Sequence, residues 1–134
     1  MDEERAKCHF ALNPSNGEII TVKNLDPFND VEALELSVAK WDTIIEALEA
    51  DYEVQSDGGH ATCGLCTRHF DGAGCSKNGI CPVIAVGGCQ NCVRTPYDTW
   101  REAKENGDTC DMLDAAVEER DFLSYILAIK RLIK

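Results

Sequence analysis

The sequence predicts a single α+β domain over residues 1–134, mostly helical, with a short N-terminal β-hairpin and about three helices around a metal-stapled cysteine-rich loop. Three observations carry that expectation. A continuous apolar seam at helical spacing runs through residues 31–50, and two further helical segments follow at 96–105 and 109–133. Turn chemistry separates two strand-like runs within residues 8–24. Six of the eight cysteines fall between Cys63 and Cys92, in a stretch with neither helical nor strand period.

The elements follow in chain order. Cys8 to Leu12 and Ile19 to Val22 are strand-like, and Asn13-Pro14-Ser15-Asn16-Gly17 between them is turn chemistry, so a two-stranded lid on the core is expected over 8–24. In the 31–50 helix, Val31, Leu34, Val38, Trp41, Ile45 and Leu48 recur at alternating spacings of three and four, which makes Trp41 a core residue. Asn29 or Asp30 can cap it, and Glu32 and Glu35 suit the positive end of its dipole. Residues 51–62 are a polar connector. Thr95-Pro96-Tyr97-Asp98 then reads as a helix start, with Thr95 as N-cap, Pro96 in the first helical position and Asp98 three after the cap. That helix stops near Asn106-Gly107, and Asp108 or Thr109 opens the last one. Phe122, Leu123, Ile126, Leu127, Ile129, Leu132 and Ile133 make its final third apolar on more than one face, as would suit either a partner or homodimer seam or a terminal helix clamped in a groove of its own domain.

Charge narrows the partners. The net charge of −11 divides as −9 over residues 1–56, +1 over 57–96 and −3 over 97–134. Phosphate backbones repel such a chain, so nucleic acid is an unfavoured partner and a basic protein surface a better one. No apolar run is long enough to span a membrane, and the acidic start MDEERAKCHF lacks the apolar region of a secretory signal. A cytoplasmic, reducing location is the resulting expectation.

In that compartment a cysteine cluster reads as a metal site rather than a disulfide framework. Two C-x2-C pairs, Cys63-Gly64-Leu65-Cys66 and Cys89-Gln90-Asn91-Cys92, have the spacing that lets two thiolates converge on one ion. A closed four-thiolate zinc site has no open position, so such a zinc would be structural. Spacing alone selects Cys63, Cys66, Cys89 and Cys92, with Cys75 and Cys81 lying between the pairs. His60 and His69 are expected at the surface. An iron–sulfur cluster is the rival, since Cys81-Pro82 echoes a ferredoxin-type ligand, but the C-x2-C-x2-C run is missing. A thioredoxin-like role for Cys63 and Cys66 is disfavoured by the polar, glycine-containing approach Ser56-Asp57-Gly58-Gly59-His60.

The order C-x2-C at Cys63 and Cys66, then Cys81-Pro82-Val83, then Cys92-Val93-Arg94-Thr95-Pro96-Tyr97 with Trp100, resembles small cysteine-rich proteins of tailed bacteriophages and prophages, a family without an assigned activity. The likeness covers about residues 41–103. Two departures stand out: Cys75 lies six residues before Cys81 where the family has three, and Cys89 has no clear counterpart. The resemblance implies Cys63, Cys66, Cys81 and Cys92 as ligands, and we adopt that set with Cys89 and Cys75 in reserve.

Catalytic signatures are missing: no P-loop, G-x-S-x-G, H-E-x-x-H, G-x-G-x-x-G or zinc-deaminase pattern occurs. The acidic residues follow helix faces expected to be solvated. The expectation is therefore a zinc-stabilised viral or prophage accessory protein in the host cytoplasm that binds a host or phage macromolecule, a protein first. The alternative is a small-molecule or nucleotide-sequestering protein, or an enzyme, with a pocket near Tyr97, Trp100 and the cysteine block.

Overall fold

The computed structural model describes residues 3–27, 29–58, 62–69, 81–85 and 95–132. Its elements are α1 (Glu3–Lys7), β1 (Phe10–Asn13), β2 (Glu18–Thr21), α2 (Asp30–Glu49), α3 (Gly64–His69), α4 (Pro82–Ala85), α5 (Pro96–Asn106) and α6 (Thr109–Leu132). The protein is α+β and mostly helical. Three long helices stand where the sequence places them, at 30–49, 96–106 and 109–132.

The hairpin is shorter than the 8–24 expected. β1 and β2 pair antiparallel, from Phe10 opposite Thr21 to Asn13 opposite Glu18. A turn of helix, α1, precedes it; five residues are too few to show a helical period in the sequence. Ala6 of α1 and Phe10 of β1 cover Leu36 and Ala39 of α2, while Ile19 of β2 reaches the main core.

Helix α2 is the centre of the molecule. Asn29 caps it, its backbone extended and its Oδ1 accepting the Glu32 N–H at 2.9 Å. The seam faces inward as expected, but so does much of the opposite side: Leu36, Ser37, Ala39 and Lys40 are buried as well. The reason is tertiary. Helix α6 packs along one side of α2, α3 along another, and α1 with the hairpin along a third, so α2 is wrapped nearly all round.

Helix α5 begins as its sequence dictates, with Thr95 extended and its Oγ1 accepting the Tyr97 N–H at 3.2 Å. Asp98 pairs with Arg101 one turn on. The helix ends at Gly107, whose φ of 70° is the left-handed conformation glycine adopts without strain. Asp108 then opens α6, its Oδ1 accepting the Asp111 N–H at 3.0 Å. Helix α6 lays Met112, Ala115, Ala116, Leu123, Ile126 and Leu127 against the core, and leaves Tyr125 and Leu132 exposed. Among the described residues no helix is long and apolar enough to cross a membrane.

Among the described residues of the cysteine-rich stretch 63–92, expected to be without regular structure, two short helices form, α3 and α4. Both are too brief to give a periodic signal. Cys75, Cys89, Cys92 and His60 lie outside the described residues, as does Ile133.

Candidate metal centre

The first cysteine pair is built by the docking of α3 on α2. Cys63 stands just before Gly64, and its Sγ accepts the Cys66 N–H at 3.3 Å, so the C-x2-C segment closes into a single turn. That turn is seated by Gly64, where an added Cβ would lie 2.6 Å from the Ala33 carbonyl oxygen and 2.8 Å from Leu36 Cβ. Only a residue without a side chain lets the two backbones meet so closely. Leu65 is buried in the main core and fixes the turn from the other side.

Ser37, on the face of α2 that meets this turn, links the two. It accepts the Leu65 N–H at 3.4 Å, and its hydroxyl lies 3.8 Å from Cys63 Sγ, within reach of a hydrogen bond. One helical turn further, Lys40 is buried and its Nζ donates to Asp57 Oδ2 at 2.8 Å, with both side chains only 4% exposed. Asp57 also accepts from Tyr97 Oη at 3.1 Å. Lys40 Nζ lies 5.4 Å from the centre of the Trp41 ring. The connector, α2 and α5 are thus joined at one buried charge pair beside the cysteines.

The electrostatics favour a charged sulfur. A hydrogen bond from the Cys66 side chain is the chief influence lowering the Cys63 thiol, and burial opposes it. The Lys40 ammonium, the Cys66 amide and the Ser37 hydroxyl add to the lowering, and Cys63 is held at about 5, a thiolate at neutral pH. Glu119 of α6 moves the opposite way. Burial first, then the Cys63 charge, push it up to about 8 despite the nearby Lys40. Its Oε2 has no hydrogen-bond partner among the described residues, which suits a protonated and not an ionised carboxyl.

The described structure brings Cys63 and Cys66 together. Cys81 is buried in the main core just before α4. Among the described residues no three or more His, Cys, Asp or Glu side chains form a group that could hold a metal ion. The remaining expected ligand, Cys92, and the reserves Cys89 and Cys75 lie outside them.

Two expectations are corrected. His69 is not at the surface: it is 1% exposed, and its Nε2 bonds Asp30 Oδ1 at 2.7 Å, beside Arg68 Nε on the same oxygen at 2.8 Å. Nor are all the acids solvated, since Glu35, Asp57 and Glu119 are buried. Glu35 is held by Arg131 at 2.9 Å, which ties α2 to the end of α6. Lys40, Ser37, Asp57 and Glu119 are site residues that sequence reasoning missed. A signal was present. Ala33, Ser37, Lys40, Ile44 and Ala47 form a second stripe spaced by fours and threes on α2, and Glu119 continues the stripe of Met112, Ala115 or Ala116, Leu123 and Ile126. Trp100, considered for a pocket wall, is fully buried against Trp41.

Comparison with protein-family models, with curated proteins and with solved structures finds no significant match. The likeness to the phage proteins therefore rests on the sequence motifs alone, Cys63 and Cys66, Cys81-Pro82-Val83, and Cys92 with Thr95-Pro96-Tyr97 and Trp100.

Proposed function

We propose that the protein is a zinc-stabilised accessory protein of a phage or prophage, working in the host cytoplasm by binding a macromolecule, a protein in the first place. The observation that carries the zinc reading is the setting of Cys63. An amide, a hydroxyl and a buried ammonium are arranged to favour a thiolate before any ion arrives, and a metal ligand needs that protonation state. Cys63 and Cys66 would supply half of a tetrahedral site and Cys81 and Cys92 the rest, with Cys89 and Cys75 in reserve. Zinc there would tie the cysteine block to α2 and perform no chemistry of its own.

Binding rather than catalysis follows from the acidic surface and from α6, where Tyr125 and Leu132 are 66% and 86% exposed. Those side chains suit a protein partner or a second copy of the chain.

Elemental analysis of protein expressed in the cytoplasm tests the metal. One zinc per chain, lost in Cys63→Ser, is the expected result. A brown protein containing iron would replace zinc by an iron–sulfur cluster. A metal-empty protein with a Cys63–Cys66 disulfide would favour dithiol exchange, which the lowered Cys63 thiol would also serve. Native mass spectrometry from lysate separates a protein complex from a nucleotide adduct, and the adduct would favour the sequestering alternative.

A further inference from the structure

Helix α6 turns one line of residues outward. Asp111, Asp114, Glu118 and Asp121 come first, then Tyr125, Ala128 and Leu132, all of them exposed. Successive members stand 3, 4, 3, 4, 3 and 4 residues apart, the repeat with which one helix meets another along a seam. At 1.5 Å per residue the line is about 30 Å long. Phe122 and Ile129, half-buried, widen its apolar end.

An acidic row on an outer helix face is ordinarily just solvated. Two features set this one apart. It runs without a break into exposed apolar residues, which gain nothing from water. The cations of α6, moreover, are engaged toward α2: Arg120 reaches Asp42 at 3.4 Å, Lys130 reaches Asp30 at 3.9 Å and Arg131 holds Glu35 at 2.9 Å. Arg120 also meets Asp121 at 3.2 Å, but among the described residues no ion pair forms at Asp111, Asp114 or Glu118.

A second copy of α6 does not complement this seam. Side by side in parallel, the acids of one copy face those of the other. Antiparallel over the full length, Asp111 falls opposite Leu132, Asp114 opposite Ala128 and Glu118 opposite Tyr125, which sets carboxylates against apolar side chains. Phosphate-rich surfaces are repelled by the acids. The complement is a helix with cations in register with the four acids and apolar residues in register with Tyr125, Ala128 and Leu132.

We propose that the outer seam of α6 docks a helical segment of a protein partner, basic along one half of its contacting face and apolar along the other. The inference rests on the reading above that the protein works by binding another protein. The apolar half supplies affinity by leaving water, and the charged half fixes which way round the segment lies.

Fluorescence anisotropy of the full chain with labelled, alanine-based helical peptides as long as the seam tests this. Two probes carry lysines along one half of a face and leucines along the other, in the two chain orders. A third, of the same composition, alternates lysine and leucine along that face. One block order is expected to bind at least about tenfold more tightly than the alternating peptide. Tyr125→Ser/Leu132→Ser and, independently, Asp114→Asn/Glu118→Gln should each weaken that binding about tenfold. Glu49→Gln/Asp51→Asn removes the same charge from exposed positions off the seam and should leave it unchanged. All these side chains are exposed, and circular dichroism would verify that each variant keeps its helices.

Equal affinity for block and alternating peptides would reduce the attraction to bulk charge and overturn the inference. So would equal weakening by the off-seam pair. A parent dimer that Tyr125→Ser/Leu132→Ser dissociates in sedimentation would give the face to a second copy and overturn it as well. If no peptide binds, the seam is not the docking face. The broader protein-binding reading then stands or falls on native mass spectrometry, where a co-purifying protein retained by Tyr125→Ser/Leu132→Ser would place the partner on another face.

Discussion

Trp41 and Trp100 meet edge to face, with ring centres 5.2 Å apart and planes inclined at 83°. Tyr97 adds a second edge on Trp41 at 5.9 Å and 77°. Such tilted contacts match the positive rim of one ring to the negative face of another. They also join helices α2 and α5, which the chain separates by the entire cysteine-rich stretch. The direction of α5 is therefore set twice, by its cap at Thr95 and by these rings.

Trp100→Ala should consequently cost about 3–5 kcal/mol, the range for truncating a buried tryptophan. Urea unfolding followed by circular dichroism would measure it. A loss below about 1 kcal/mol, as for a surface residue, would show that the ring is not packed as described.

What the sequence made legible were features decided by neighbours along the chain. Asn29 before α2, Thr95-Pro96 before α5 and Gly107 after it each act within a few residues, and each is found where its chemistry puts it. The seam of α2 and the inner stripe of α6 are periodic over many turns and could be read as well. Lys40, Glu119 and His69 could not be assigned by polarity, because partners distant in sequence decide their burial. His69 meets Asp30 across 39 residues, and Lys40 is enclosed only because α3 and the connector close over that side of α2. Their positions within apolar stripes were visible; the reason to trust position over charge was not.

Gly64 gives a second prediction. Gly64→Ala would press a methyl against the Ala33 carbonyl and Leu36 Cβ. Both atoms belong to α2, one of them a backbone carbonyl that cannot yield, so α3 must lift from α2. A loss of about 1–3 kcal/mol is expected, as for overpacking elsewhere. If Cys63 and Cys66 hold zinc, faster zinc transfer to a chelator should accompany it, since the turn that carries both sulfurs moves with α3. Unchanged stability in urea would refute the close approach.

Asp30 is the other anchor of α3. Burial tends to raise its carboxyl, but hydrogen bonds and charge from Arg68 and His69 outweigh that and bring it below the ordinary value of 3.8. The carboxylate is thus favoured in the folded state. Its contribution is present above the unfolded pKa and is lost as pH falls through the lowered folded one. Asp30→Asn should destabilise the protein at neutral pH by about 1 kcal/mol, since solvent screens a partly exposed cluster. The parent and the variant should converge in stability as the medium is acidified below pH 3.8. Urea midpoints across that range would test this; a gap that persists in acid would assign the loss to packing rather than charge.

Glu119 gives the opposite slope. Its folded-state pKa is pushed up to about 8 from an ordinary 4.5, first by burial. Below the ordinary value both folded and unfolded chains hold the proton, and the contribution is fully present. Between the two values the unfolded chain has released its proton while the folded chain keeps it. Stability therefore falls as pH rises, by roughly 1 kcal/mol per pH unit from this group, and the fall ends once the folded pKa is passed. Glu119→Gln keeps the neutral shape and removes the titration. The difference in unfolding free energy between the variant and the parent should accordingly move in the variant's favour from pH 5 to pH 8, within the span between the two pKa values. A difference independent of pH would mean that Glu119 enters the folded core already ionised. Its unpaired Oε2 would then need a cation beside it, and Lys40 would be divided between two acids and the cysteine sulfurs.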